Sequence, residues 1–157
     1  MSTRVVLLRE GLITQIANPQ DLYLAPSSEF AANFIGDANV LQGHVVIVDG
    51  KSAVEWRGVM LSGPSVAGRA VGTQVNLMVR PEAIRLAGES AGDDQSYAEG
   101  RIERSSFYGF YWIHRVKVGG QLLIVRELGS TTDCQPGTAV RLMIDTERVV
   151  VLPGSKA

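Results

Sequence analysis

The stretch "GTQVNLMVRPEAIRL", Gly72 to Leu86, returns sixty-five residues later as "GTAVRLMIDTERVVV", Gly137 to Val151. Gly72/Gly137, Thr73/Thr138, Val75/Val140, Leu77/Leu142, Met78/Met143 and Glu82/Glu147 are identical, and Val79/Ile144 and Ile84/Val149 are conservative. In each copy apolar residues alternate, a polar turn follows, and a second apolar run begins. A period of two marks a strand with one buried face. No low-complexity bias generates the match, so the chain reads as two related β-units.

Working outward, a glycine stands at the start of a hairpin upstream of each copy, Gly43 and Gly100. "HVVIV-DG-KSAVEW" places Asp49-Gly50 in a two-residue turn, and Gly119-Gly120 separates "FYWIHRVKV" from "QLLIVREL". Ala87 to Ser96 is small and acidic and reads as a linker. Roughly ten short strands with turns between them predict a mainly β fold, an OB-like barrel pair or one composite built from half-units at about 39–88 and 99–153. Packing the halves together enlarges a core that neither builds alone. Before Asn39 the pattern differs. "RVVLLREGLITQIA" predicts a hairpin around Glu10-Gly11. Asn18-Pro19 starts a helix that Pro26 ends. Ser27 or Ser28 caps a second short helix, which Gly36 stops. Leu22, Tyr23, Phe30, Phe34 and Ile35 form an apolar stripe in need of a partner.

The 157 residues carry a formal net charge of -1, with 45% hydrophobic and 20% charged residues. That is the balance of a globular protein, and it gives nucleic-acid binding no support. A single cysteine, Cys134, points to a reducing compartment. The first residues, "MSTRVVLLRE", have too short an apolar run for a signal peptide, and no run spans a bilayer. Catalytic constellations are not found. "GKS" at Gly50 to Ser52 lacks the upstream glycine of a P-loop and follows a hairpin turn. His44 and His114 have no neighbour at metal-ligand spacing. No nucleophile elbow is present, and Asp93-Asp94 falls in the polar linker. No enzyme activity, cofactor or metal is expected.

Two stretches remain as candidate surfaces. "SSFYGFYWIHRVKV" gathers Phe107, Tyr108, Phe110, Tyr111 and Trp112, flanked by Arg101, Arg104, Arg115 and Lys117. It reads as a half-buried strand whose aromatics fill the barrel, with Gly109 in a bulge; a stacking platform for bases or a ligand is the weaker reading. In "VRPEAIRL", Arg80 and Glu82 pair with each other or with a partner. Asp145 replaces Arg80 in the second copy and Glu147 keeps the glutamate, which therefore serves the turn itself. Arg80, Glu82, Ser105, Ser106, Tyr108, Phe30 and Phe34 make up the candidate partner or ligand surface.

"RVVLLREGLITQIANPQDLYLAPSSEFAANFIGDANVL" resembles the junction in ATP-binding subunits of bacterial ABC importers where the ATPase domain gives way to a C-terminal regulatory domain. Gly11, Ile13, Gln15, Pro19, Leu22, Tyr23, Pro26, Phe30, Ala31, Phe34, Ile35, Gly36 and Asn39 carry the match; Asn18 stands where the family has glycine. "VRPEAIRL" likewise resembles the RPE motif of the transport-associated OB domain, TOBE, of the polyamine, ferric-iron and phosphonate importers. The resemblance implies a cytoplasmic TOBE-type domain at 37–157, preceded at 1–36 by the end of an ATPase domain and its linker helices. It implies a regulatory and dimerising role, a homodimer, and an ATPase domain and membrane permease as partners, peripheral to the inner membrane. The family's Walker, signature and switch motifs do not occur in this sequence. Two other readings stand beside it. One is a small-ligand sensor taking an oxyanion on glycine-rich turns with Ser105, Ser106 or Thr73. The other, less favoured, is a nucleic-acid-binding OB module; no nucleic-acid partner is expected.

Overall fold

The computed structural model describes residues 3–61, 66, 68–87, 97–129 and 134–153. The linker expected at Ala87 to Ser96, with Asp93-Asp94, lies outside them apart from Ala87. The N-terminal part is the expected hairpin, β1 (Val5–Arg9) and β2 (Leu12–Ala17), followed by α1 (Pro19–Leu24) and α2 (Glu29–Ile35). Asn18 caps α1 by accepting the Asp21 N–H, and Ser28 caps α2 by accepting that of Ala31.

Ten strands follow. They are β3 (Asn39–Val48), β4 (Lys51–Trp56), β5 (Val59–Leu61), β6 (Gln74–Val79), β7 (Ile84–Ala87), β8 (Tyr97–Phe107), β9 (Tyr111–Val118), β10 (Gln121–Leu128), β11 (Ala139–Ile144) and β12 (Val150–Val151). Two turns of 3₁₀ helix, Pro81–Ala83 and Thr146–Arg148, join β6 to β7 and β11 to β12. The Asp49-Gly50 turn has φ of 49° and 75°, the left-handed pair of a type I′ hairpin. Arg57-Gly58 makes the same turn between β4 and β5, a hairpin that the sequence reading does not contain, because arginine is no turn signal. Gly109 holds no bulge. It is the turn that divides the aromatic stretch into β8 and β9, and the Tyr108 N–H donates to the Tyr111 carbonyl there at 2.9 Å. The bulge falls at Glu103, where the β8–β9 register shifts between Ile102 and Arg104.

The repeat is real in three dimensions, but its halves are not the spatial units. One five-stranded sheet has the order β12-β6-β3-β4-β5 and the other β10-β9-β8-β11-β7. After its 3₁₀ turn each copy sends its last strand into the sheet of the other. Corresponding hydrogen bonds recur. Val45 N–H donates to Thr73 O and Gly72 N–H to Val45 O; Ile102 N–H donates to Thr138 O and Gly137 N–H to Ile102 O. The two 3₁₀ turns meet directly, Asp145 N–H donating to Ala83 O at 2.9 Å. One core, including Leu41, Trp56, Leu77, Ile84, Ile102, Leu123, Leu142 and Val151, therefore runs through both units.

Gly43 and Gly100 mark the points of closest strand approach. A Cβ on Gly43 would stand 2.5 Å from the Glu55 carbonyl oxygen, and one on Gly100 would stand 2.7 Å from Val116 Cγ1. The first obstacle is backbone and cannot rotate away. Gly43→Ala is expected to lower stability by about 2 kcal/mol, the scale of core overpacking, with Gly100→Ala losing less because a side chain gives first. Paired urea unfolding curves check the order.

Candidate functional site

The side chain around which the N-terminal segment is built is Arg80. It follows β6 at the head of the Pro81–Ala83 turn, and it is 4% exposed. It is therefore not part of a partner or ligand surface, and it does not bridge to Glu82. Its Nη1 is shared among the carbonyls of Ala32 (2.8 Å), Gly36 (3.1 Å) and Asp37 (3.1 Å). Nη2 and Nε donate to Tyr23 O at 2.8 and 3.3 Å. The guanidinium lies over the Tyr23 ring, 4.0 Å from its centroid. Helix ends leave carbonyls without intrahelical partners, and one arginine collects those of both helices. Burial lowers the Arg80 pKa, with nearby Tyr23, Glu82 and Asp37 opposing; arginine stays charged regardless.

Tyr23 completes the anchor. Its phenol donates to Glu82 Oε1 at 2.6 Å. Burial raises its pKa first, and the Glu82 bond raises it further. Glu82 also faces Arg148 at 3.5 Å and Arg126 at 3.6 Å. It does more than serve its own turn, while Glu147 at the matching position is exposed. Thus the helices, β10 and the second 3₁₀ turn converge on the first. β6 is buried on both faces for the same reason: Val75, Leu77 and Val79 face the main core, and Met78 packs under α2 with Ala32 and Leu152.

The N-terminal segment is docked yet leaves an apolar surface outward. Leu22, Ala31 and Ala32 are buried, whereas Phe34 is 64% exposed and Phe30, under Arg9, only half-buried. The buried face of α2 is its alanine face, which lets the helix approach β6 closely; a reading by side-chain size selects the wrong stripe. On the hairpin, Val6 pairs with Ile16 and Leu8 with Ile13. All four are exposed, with Leu12 at 75%.

Of the remaining candidates, Ser105 is committed internally. Its hydroxyl donates to Cys134 O at 2.8 Å and lies 2.8 Å from His114 Nδ1. A hydroxyl has one proton, so His114 supplies the hydrogen between them. His114 is fully buried, stacks against Trp112, and turns Nε2 toward Glu127 at 3.7 Å. Glu127 Oε1 accepts the Leu86 N–H at 2.8 Å, joining edge strand β10 to edge strand β7 and curling the sheet shut. Asn39 does similar work from the other unit, exchanging hydrogen bonds of 2.8 and 2.7 Å with Ile124 O and N. Neither Glu127 nor Asn39 stands out as a site residue in sequence, because their partners are backbone atoms far along the chain. Ser106 and Tyr108 share a groove on the outer sheet face, away from Ser105 and Thr73, so the donors expected for an oxyanion do not converge. Phe107, Tyr108 and Phe110 do not fill the barrel; Phe110 is 69% exposed. Among the described residues no group of three or more His, Cys, Asp or Glu is placed to hold a metal, and no helix is long and apolar enough to cross a membrane.

Two strand-exchanged, five-stranded β-units with a docked helix pair define a double OB-like β-module. Residues 77–152, from within β6 to the residue after β12, are a TOBE domain. The chain's relatives include the spermidine/putrescine import ATP-binding protein PotA of Rubrobacter xylanophilus, 35% identical, the match covering 99% of this chain and 42% of the relative. PotA of Trichodesmium erythraeum is 32% identical over 81% of this chain and 36% of its own length. The Fe(3+) ions import ATP-binding protein FbpC 1 of Rhizobium meliloti is 29% identical over 98% and 42%. The chain spans less than half the length of these relatives. In fold it is similar to the cytoplasmic molybdate-binding protein ModG, with a TM-score of 0.61 at 17% identity over 73% of this chain and 96% of that one.

Two predictions follow from the site's bonding. Arg80→Met leaves the carbonyls of Tyr23, Ala32, Gly36 and Asp37 without donors, at a cost of about 3 kcal/mol. Hydrogen exchange should then show α1 and α2 opening before β3–β12. For Glu127, burial raises the pKa, but His114 and the Leu86 N–H outweigh it and hold the carboxyl below its ordinary 4.5. Its stabilisation is thus present above pH 4.5 and disappears as pH falls through the lower folded value. The melting-temperature gap between wild type and Glu127→Gln should be constant above that range and shrink below it.

Proposed function

We propose that this chain acts as the non-catalytic regulatory and dimerisation module of an importer's ATP-binding subunit. The single observation that carries the reading is the apolar ladder Val6/Ile16 and Leu8/Ile13, exposed on one face of a hairpin whose adjoining helices are fixed to the β-module by Arg80. Exposed apolar surface of this continuity marks a protein contact. On this reading residues 1–36 are the end of the ATPase body with its linker helices, and 37–157 are the regulatory domain. The ladder faces ATPase body, and the helix anchor transmits its position to the β-module. The subunit then sits in the cytoplasm against the membrane permease. The family and the relatives' names support the setting.

The test uses the whole chain. Light scattering after size exclusion should show a concentration-dependent dimer, and the chain alone should not turn over ATP. Leu12→Ser with Ile13→Ser should leave the melting temperature within a few degrees, because both are open to solvent, and should abolish binding to a separately produced ATPase portion of a relative. A strict monomer at every concentration removes the dimerisation role, and ATP hydrolysis by the chain removes the non-catalytic one.

A further inference from the structure

The formal charge of -1 conceals a segregation of charge on the second sheet. On the β8–β9 hairpin, Arg101 stands directly opposite Lys117, and Arg104 directly opposite Arg115. All four side chains are exposed. Like charges directly across an antiparallel pair destabilise it, and here two such pairs stand on either side of the bulge at exposed Glu103, four cations to one carboxylate. The duplicated fold contains its own control. Val45 and Ile102 make the same hydrogen bonds to the Thr73 and Thr138 carbonyls, so the matching pairs in the first unit are His44–Glu55 and Val46–Ala53. The fold therefore does not require the cations.

A groove on this face is lined by Asp37, Arg104, Ser106, Tyr108, Ile113, Arg115 and Ile124. Its one carboxylate, Asp37, lies 3.5 Å from Arg126. Tyr108 is 55% exposed, and its ring is held parallel to that of Tyr111 at 5.3 Å. Arg101 donates one N–H to Gly137 O and keeps the rest of its fork.

We propose that this face binds a nucleotide, its phosphate chain across Arg104, Arg115, Arg101 and Lys117 and its base on Tyr108. Guanidinium forks match phosphate oxygens in pairs, and an exposed tyrosine ring stacks any base. The two cation pairs are about 7 Å apart along β9, within reach of a di- or triphosphate. The site is independent of the regulatory reading above, for the cations and the tyrosine that would hold the ligand belong to neither the hairpin nor the helix anchor, which reaches the groove only through Asp37.

Calorimetric titration of the whole chain at low salt tests it with four probes: ATP, tripolyphosphate, adenosine and a short single-stranded DNA. ATP should bind, tripolyphosphate more weakly, and adenosine not at all. Arg104→Gln or Arg115→Gln should weaken ATP by about ten-fold, the value of one charged hydrogen bond. The ligand-free melting temperature should stay at or above wild type, because a like-charge pair is relieved. Tyr108→Ala should reduce ATP affinity to the level of tripolyphosphate while leaving the latter unchanged. No ATP binding by the folded chain overturns the proposal. Equal affinity for ATP and tripolyphosphate overturns the base contact, and tighter binding of the DNA assigns the face to nucleic acid instead. A lower ligand-free melting temperature in the glutamine variants makes the arginines structural and removes the site.

Discussion

A buried guanidinium requires a shell of acceptors, and Arg80 finds its shell only because the chain ahead of β3 folds back over it. An arginine stripped of water and left unsatisfied would cost several kcal/mol, so the helices cannot leave without a penalty at the heart of the β-module. The converse also holds. Helices of six and seven residues are too short to be stable alone, and their loose carbonyls are what the arginine takes up. Each side of the contact supplies what the other lacks. The contact also sits at the turn where β6 hands over to β7, the place where one unit enters the other, so that the N-terminal segment is tied to the crossing point of the fold.

Much of the architecture was legible because it rests on local chemistry. The type I′ turn at Asp49-Gly50, the caps at Asn18 and Ser28, and the alternation of Val75, Leu77 and Val79 each follow from neighbouring residues. The repeat announced two β-units. It could not announce the exchange of β7 and β12, since a strand's periodicity is the same whichever sheet receives it. For the same reason the Gly109 turn passed as a bulge: glycine permits both, and the pairing partner decides.

The candidate site divides along the same line. Arg80 reads in the sequence as a surface residue beside Glu82, but the structure buries Arg80 and leaves Glu82 partly open, because the cover is set by the segment fifty residues earlier. Phe30 and Phe34 drew attention by size, yet small Ala31 and Ala32 make the close contact. Net charge misled in its own way. A whole-chain sum says nothing about where charges lie, and the cross-strand register that stacks Arg104 on Arg115 is invisible until β8 and β9 are paired.

The exchange of end strands has a further meaning. Cut between β7 and β8, the chain becomes two fragments, each with a sheet missing one strand and each carrying the strand the other needs. That is the arrangement of a two-fold symmetric pair of molecules. Duplication in one chain converts such a pair into a unit whose completeness no longer depends on how much protein is present, because a short tether holds the second copy at an effective concentration of roughly millimolar. Freed from identity with its twin, each half has room to diverge, and the four facing cations on one hairpin, with none at the matching positions of the other, record that freedom.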